Sequence, residues 1–223
     1  MTGLESRLQY IDKLTIGDHS YLRDEDICCY LGDYYPDKNY SRTTYNQTLH
    51  NFKKFESRKG LADYKYKIQA ITTLTEVVRN KIVPNFRPGL VTLVPTPSSK
   101  CKADPEYDDR LMKILASGLS GGEINLKEIL YIDQNMKTSH LAKNGERMKP
   151  TEIQECLRIN ENECQDVRDY IVIFDDILTT GAHFKACQAT LQQRFPGKQI
   201  IGLFLGRTNR NFIIGDAIRN MFG

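Results

Sequence analysis

The sequence predicts an α/β protein: a Rossmann-like parallel sheet with flanking helices, extended at its N-terminus by an α/β or helical region. Three observations carry this. From residue 90 onward, short apolar, β-branched runs alternate with stretches of helical periodicity, the pattern of strands joined by crossover helices. The strongest run, Ile171-Val172-Ile173-Phe174, is apolar without alternation, as expected of a strand buried on both faces. It leads into two acids, a hydroxyl-rich turn and a helix-like segment, so polar chemistry collects at the C-terminal end of a strand. Open α/β sheets bind their ligands there.

Taken in order, residues 26–35 form a strand candidate, stopped by Pro36 and the polar Asp37-Lys38-Asn39. Residues 44–55 look like a short helix. Residues 61–83 make a stronger one, with Ile68, Ile71, Leu74 or Thr75, and Val78 at helical spacing and Pro84, Pro88 and Gly89 at its end. Residues 90–94 are a short buried strand, ended by Pro95-Thr96-Pro97-Ser98-Ser99-Lys100. Asp104-Pro105 opens a helix to about residue 119, with Leu111, Ile114 and Leu115 inward and Gly118, Gly121 and Gly122 at its close. A strand at 128–132 precedes a long polar segment, 133–150. A helical turn and a brief strand, Leu157-Arg158-Ile159, follow. The central strand spans 170–174, its helix 182–195, and a last strand 199–205. The expected divisions are an accessory or hood region at 1–88, a core at 89–208 and a tail at 209–223.

Composition excludes several classes. With 40% hydrophobic and 26% charged residues the chain reads as globular. A net charge of +3 is too small to argue for nucleic acid by itself. No apolar run reaches the roughly 20 residues of a membrane span, and the start lacks a signal-peptide core. The expectation is a cytoplasmic protein without a membrane segment. The six cysteines form no C-x-x-C pair and the four histidines are scattered, which argues for reduced thiols and against a zinc site.

The segment after Phe174 carries the chemistry. Thr179-Thr180-Gly181 precedes a helix start, and a loop at a helix N-terminus presents the free N–H groups that a phosphate needs. Asp175 and Asp176 would repel phosphate. They suit hydroxyls and a hydrated Mg²⁺ beside it. Phosphate, vicinal hydroxyls and metal together describe a phosphorylated ribose. A buried strand ending in a solvated acid pair and a helix cap would use the same residue types.

Residues 171–183 resemble the phosphoribosyl-pyrophosphate (PRPP) signature of type I phosphoribosyltransferases: apolar strand, two acids, four variable residues, Gly. The order of the Thr96 loop, a Thr-x-His and Arg-containing loop, the signature, and a strand ending Leu205-Gly206-Arg207-Thr208 is similar to ComF-like members. The resemblance implies the type I phosphoribosyltransferase fold over about 90–208 and Mg²⁺-dependent transfer of ribose 5-phosphate from PRPP to a nitrogen acceptor, with release of pyrophosphate. It implies that Asp175 and Asp176 hold the ribose hydroxyls and, mostly indirectly, the metal. The amides of Leu178, Thr179, Thr180, Gly181 and Ala182 would hold the 5-phosphate, and Thr96, Ser98, Ser99 and Lys100 the pyrophosphate. A closing loop at 137–147 would bring Lys137 and Arg147, with His140 and Lys143, onto the leaving group. Arg110 is a further possibility, although an exposed helix arginine would look the same.

The chain also departs from the family. Thr179 stands where purine-salvage members place an aspartate, His183 where many have Thr, and no cysteine-rich zinc element precedes the core. The alternative is a non-catalytic PRPP- or nucleotide-sensing protein, or a nucleic-acid-associated accessory of ComF-like type, working with a partner. Lys53, Lys54, Arg58, Lys59, Lys65 and Lys67 could offer such a protein or nucleic-acid partner a basic face on the N-terminal region. A homodimer is a family expectation.

Overall fold

The apolar run and its acid pair lie inside a mostly parallel sheet that is covered on both faces. The structure, a computed structural model, describes residues 7–36, 43–87, 89–119, 124–136 and 148–209. In chain order the elements are β1 (Gln9–Tyr10), β2 (Cys28–Tyr30), β3 (Asp33–Tyr34), α1 (Thr44–Phe52), α2 (Lys65–Val77), β4 (Val91–Pro95) and α3 (Arg110–Gly118). They continue with β5 (Asn125–Leu126), β6 (Leu130–Ile132), α4 (Pro150–Cys156), β7 (Leu157–Ile159), β8 (Tyr170–Leu178), α5 (Ala182–Arg194) and β9 (Gln199–Thr208). The main sheet runs β1-β2-β9-β8-β4-β5, and β3 also pairs with β9. Among the described strands of this sheet only β1 is antiparallel to its neighbour. The chain leaves β4 toward β5 on one side and β8 toward β9 on the other, so the strand order reverses between β4 and β8.

Alternate residues of β8 feed two cores. Ile171 and Ile173 pack with Phe184, Ala186 and Leu191 of α5 and with Ile153 and Leu157. Val172 and Phe174 pack with Leu49 and Phe52 of α1, Leu74 of α2 and Ile114 of α3. Ile171 to Phe174, covered on both faces, are all buried and apolar, and the acids follow where β8 reaches the cleft. The cores also locate the N-terminal region. Its strands extend the same sheet and its two helices cover one face. The described elements before residue 88 are therefore packed into the body that holds the acid pair.

Several expectations about elements are corrected. The strand expected at 26–35 is broken into β2 and β3, both in parallel register along β9. The helix expected at 44–55 stops at Phe52. The longer one starts at Lys65 and passes after Val77 into a π turn and a 3-10 turn that takes up Pro84. Asp104-Pro105 opens no helix. Asp104 spends its carboxylate on the Glu106 N–H at 2.7 Å, a local turn that competes with helix, and α3 starts only at Arg110. The strand near 128–132 leaves the main sheet: β6 pairs antiparallel with β7, while the two-residue β5 takes the place beside β4. The central strand runs past Phe174 through the acids to Leu178, paired with β9 as far as Arg207.

Gly118 has a packing role beyond ending a helix. A Cβ there would lie 2.5 Å from the Val78 side chain, so its absence lets α3 approach the π turn. All six cysteines are free. No described helix is long and apolar enough to cross a membrane.

Candidate functional site

At the reversal between β4 and β8 the strand ends open into a cleft of about 560 Å³. Thr96, Ser98 and Ser99 line it from the loop after β4; Asp175, Asp176 and residues 178–182 line it from β8 and the turn into α5. Most of the residues implicated by sequence thus meet in one place. Lys53 and Arg110 line the cleft as well. Lys100 does not: it borders an adjoining small recess with Lys102 and Glu128. Lys137, His140, Lys143 and Arg147 lie outside the described residues.

The acid pair sits where the ladder is irregular. Ile173 and Leu178 face one core, yet Phe174 and Ile177 face the other, so strict alternation slips by one across Asp175 and Asp176. Such irregularities re-aim side chains near sites. Asp175 Oδ1 accepts the Asp176 N–H at 2.8 Å, and Asp176 Oδ1 accepts the Ile177 N–H at 2.7 Å. The two carboxylates then diverge. Asp176 receives Arg110 Nη2 at 2.6 Å and has Lys53 Nζ at 3.9 Å. Asp175 has His183 Nδ1 at 4.0 Å.

Their electrostatics diverge too. Burial and the neighbouring Asp176 charge push the Asp175 carboxyl above its ordinary value, partly offset by His183 and Thr96. Burial acts on Asp176 in the same sense, but Lys53 and Arg110 hold it down at about 2. For Arg110, burial is outweighed by Asp176 and Asp108, which raise it.

The turn after β8 is built by conformation and by a distant brace. Gly181 has φ +83°, a left-handed conformation that side chains resist, and it caps α5. A Cβ there would also fall 2.9 Å from Leu22 Cδ2. Tyr21 N–H donates to the Thr180 carbonyl at 2.9 Å, and His19 Nδ1 meets the Thr179 carbonyl at 2.5 Å. Both carbonyls are thereby occupied by residues 19–21, and the first amides of α5 have no acceptor within the helix itself. Ala182 N–H makes a long contact of 3.4 Å to Thr180 Oγ1. Leu178 belongs to the strand, in register with Arg207, so the turn proper is Thr179 to Ala182.

The loop after β4 is anchored at both ends. Thr96, 6% exposed, donates its N–H to the Phe174 carbonyl at 2.9 Å, and the Ser99 carbonyl accepts the Met136 N–H at 2.9 Å. Ser98 Oγ accepts the Lys100 N–H at 3.2 Å.

Arg110 was the residue most underrated by sequence, and Lys53 was assigned only to a surface. Arg110 is fixed between Asp176 and Asp108, each at 2.6 Å. The acid-acid-basic run Asp108-Asp109-Arg110 at a helix start was the available signal. Of the residues expected on a basic face, Lys53, Arg58, Lys59 and Lys65 are exposed, and Lys67 is not. Lys67 is 1% exposed and paired with Glu56 and Asp108, while Lys54 and Arg58 both pair with Asp63.

Among the described residues no three His, Cys, Asp or Glu side chains group as metal ligands. Two adjacent carboxylates at an open cleft still suit Mg²⁺, which keeps several waters and takes only one or two protein carboxylates beside ligand oxygens. The chain is thus an α/β protein with a mostly parallel sheet and a cleft at its strand-order reversal. No family model and no curated protein sequence matches it.

Proposed function

We propose that the chain is a PRPP-binding phosphoribosyltransferase of the type I fold, transferring ribose 5-phosphate to a nitrogen acceptor with release of pyrophosphate. The observation that carries this is the meeting, in one cleft at the sheet's reversal point, of an acid pair, a Thr-Thr-Gly turn capping a helix and a hydroxyl-rich loop. Each suits a different part of one ligand. The amides and hydroxyls of Thr179 to Ala182 would take the 5-phosphate. Asp175 and Asp176 would take the ribose hydroxyls. Thr96, Ser98 and Ser99 would take the pyrophosphate through hydroxyls and amides.

Mg²⁺, when bound with PRPP, would offset the charge of the departing pyrophosphate. The chain's own contribution is positioning and charge: the turn and the loop fix the two ends of the ligand, and the carboxylates favour a sugar that becomes cationic as its bond to pyrophosphate lengthens. No side chain need form a covalent bond.

The second reading, a PRPP-sensing protein without turnover, is favoured by one observation. The Lys and Arg side chains lining the described cleft, Lys53 and Arg110, both sit against Asp176, which leaves neither uncompensated for a leaving group.

Titrating PRPP and Mg²⁺ into the protein, and following pyrophosphate release with a panel of nucleobases and amines, separates the two. Binding with release for one acceptor is the expected result. Binding without release for any acceptor selects the sensor. Absence of PRPP binding, with Asp175→Asn and Asp176→Asn behaving like the parent, removes both.

A further inference from the structure

We propose that Arg110 is a positioning residue of the cleft, holding Asp176 as an already neutralised acceptor of a sugar hydroxyl and linking it to the helices of the N-terminal region. The inference rests on the ribose-phosphate reading above. It begins from a chain of alternating charges. Glu56 pairs with Lys67 at 2.8 Å, Lys67 with Asp108 at 2.6 Å, Asp108 with Arg110 at 2.6 Å, and Arg110 with Asp176 at 2.6 Å; Lys53 closes the run at 3.9 Å. Three anions face three cations, so the chain is neutral as a unit.

Geometry makes this more than a surface pair. The guanidinium is a rigid planar fork. One nitrogen of this fork is on Asp108, another is on Asp176, and the group lies 5.4 Å from the centre of the Phe52 ring. It cannot turn without breaking two charged hydrogen bonds. Asp108 is in turn fixed by Lys67, which also donates to the Lys54 carbonyl at 2.5 Å. The direction of Asp176 is therefore set from α2 and from the segment after α1 as much as from β8.

The consequence is a division of labour. An ionised carboxylate offers about four acceptor positions, so Asp176 can accept a hydroxyl while its charge stays compensated. Asp175 has no Lys or Arg partner among the described ion pairs, its basic neighbour being a half-exposed histidine at 4.0 Å, and is the carboxylate left to face a cation. A lysine at 110 could neutralise Asp176 but could not bridge to Asp108 with the same planar fork.

The test is calorimetric. Ribose 5-phosphate and inorganic phosphate are titrated into the parent protein, Arg110→Gln, Arg110→Lys, Asp176→Asn and the double variant Arg110→Gln/Asp176→Asn. Arg110→Gln is expected to weaken ribose 5-phosphate at least tenfold and phosphate less than twofold, Arg110→Lys to recover part of the loss, and the double variant to bind as Asp176→Asn does. A merely structural role would weaken both ligands alike. That result, parent-like ribose 5-phosphate binding by Arg110→Gln, or additive losses in the double variant overturns the proposal. Should Arg110→Gln fail to fold, parent-like affinity in Arg110→Lys overturns it. A parent protein that binds phosphate but not ribose 5-phosphate or PRPP overturns the ribose reading itself, and this inference with it.

Discussion

Asp175 and Asp176 are neighbours in the chain whose surroundings act on them in opposite directions. Asp176 is held at about 2 by Lys53 and Arg110 against its burial, below the roughly 3.9 of an unfolded carboxylate. Its stabilising effect is therefore complete above about pH 5 and fades as pH falls toward 2. Asp175 is raised, by burial first, so its contribution has the other sign: it is favourable at low pH and lost as pH climbs through its folded value. Urea unfolding should register both. Asp176→Asn is expected to cost about 2 kcal/mol at pH 7 and much less at pH 2, whereas Asp175→Asn should stabilise at pH 7 and be neutral at pH 2. Equal effects of the two variants at pH 7 would contradict this account. Consecutive residues made the pair and the turn legible from sequence. Arg110 was not, because it reaches Asp176 from 66 positions away and its one local signal, the two acids before it, also fits a solvated helix arginine.

At the scale of elements, the helices before residue 88 do two jobs: they cover one face of the sheet and they supply Lys67. That side chain is buried between Glu56 and Asp108, and removing one member of a buried ion network leaves its partners uncompensated. Lys67→Met should therefore cost about 3 kcal/mol, seen as a lowered urea midpoint with an unchanged denaturant slope. A cost below about 0.5 kcal/mol, the usual surface-substitution range, would show the network to be ornamental. The periodicity of α2 was readable, but Lys67 was read as surface because lysine is almost never fully buried unless paired, and its partners lie in other elements. The same limit explains β5 and β6. Two and three residues are too few for periodicity to say which sheet they join.

For the whole molecule, the two-sided burial of residues 171–174 was plain from their composition, and so was the parallel character that strand-helix alternation implies. Strand order was not, because it depends on pairings such as Cys28 with Gly202 that no local pattern records. That order bears on how the protein is made. β9 lies between β2 and β8, so the last of the described strands enters the middle of the sheet. Until it arrives, β2 and β8 have no common neighbour and both cores are open along one side. Contacts this distant in sequence close slowly and late. A chain ended at residue 198 should thus remain protease-sensitive and fail to bind phosphate, and one ended at residue 209 should resist digestion; equal resistance of the two would refute this. During synthesis the acid pair leaves the ribosome well before the strand that seats it, so the cleft is among the last parts of the molecule to exist.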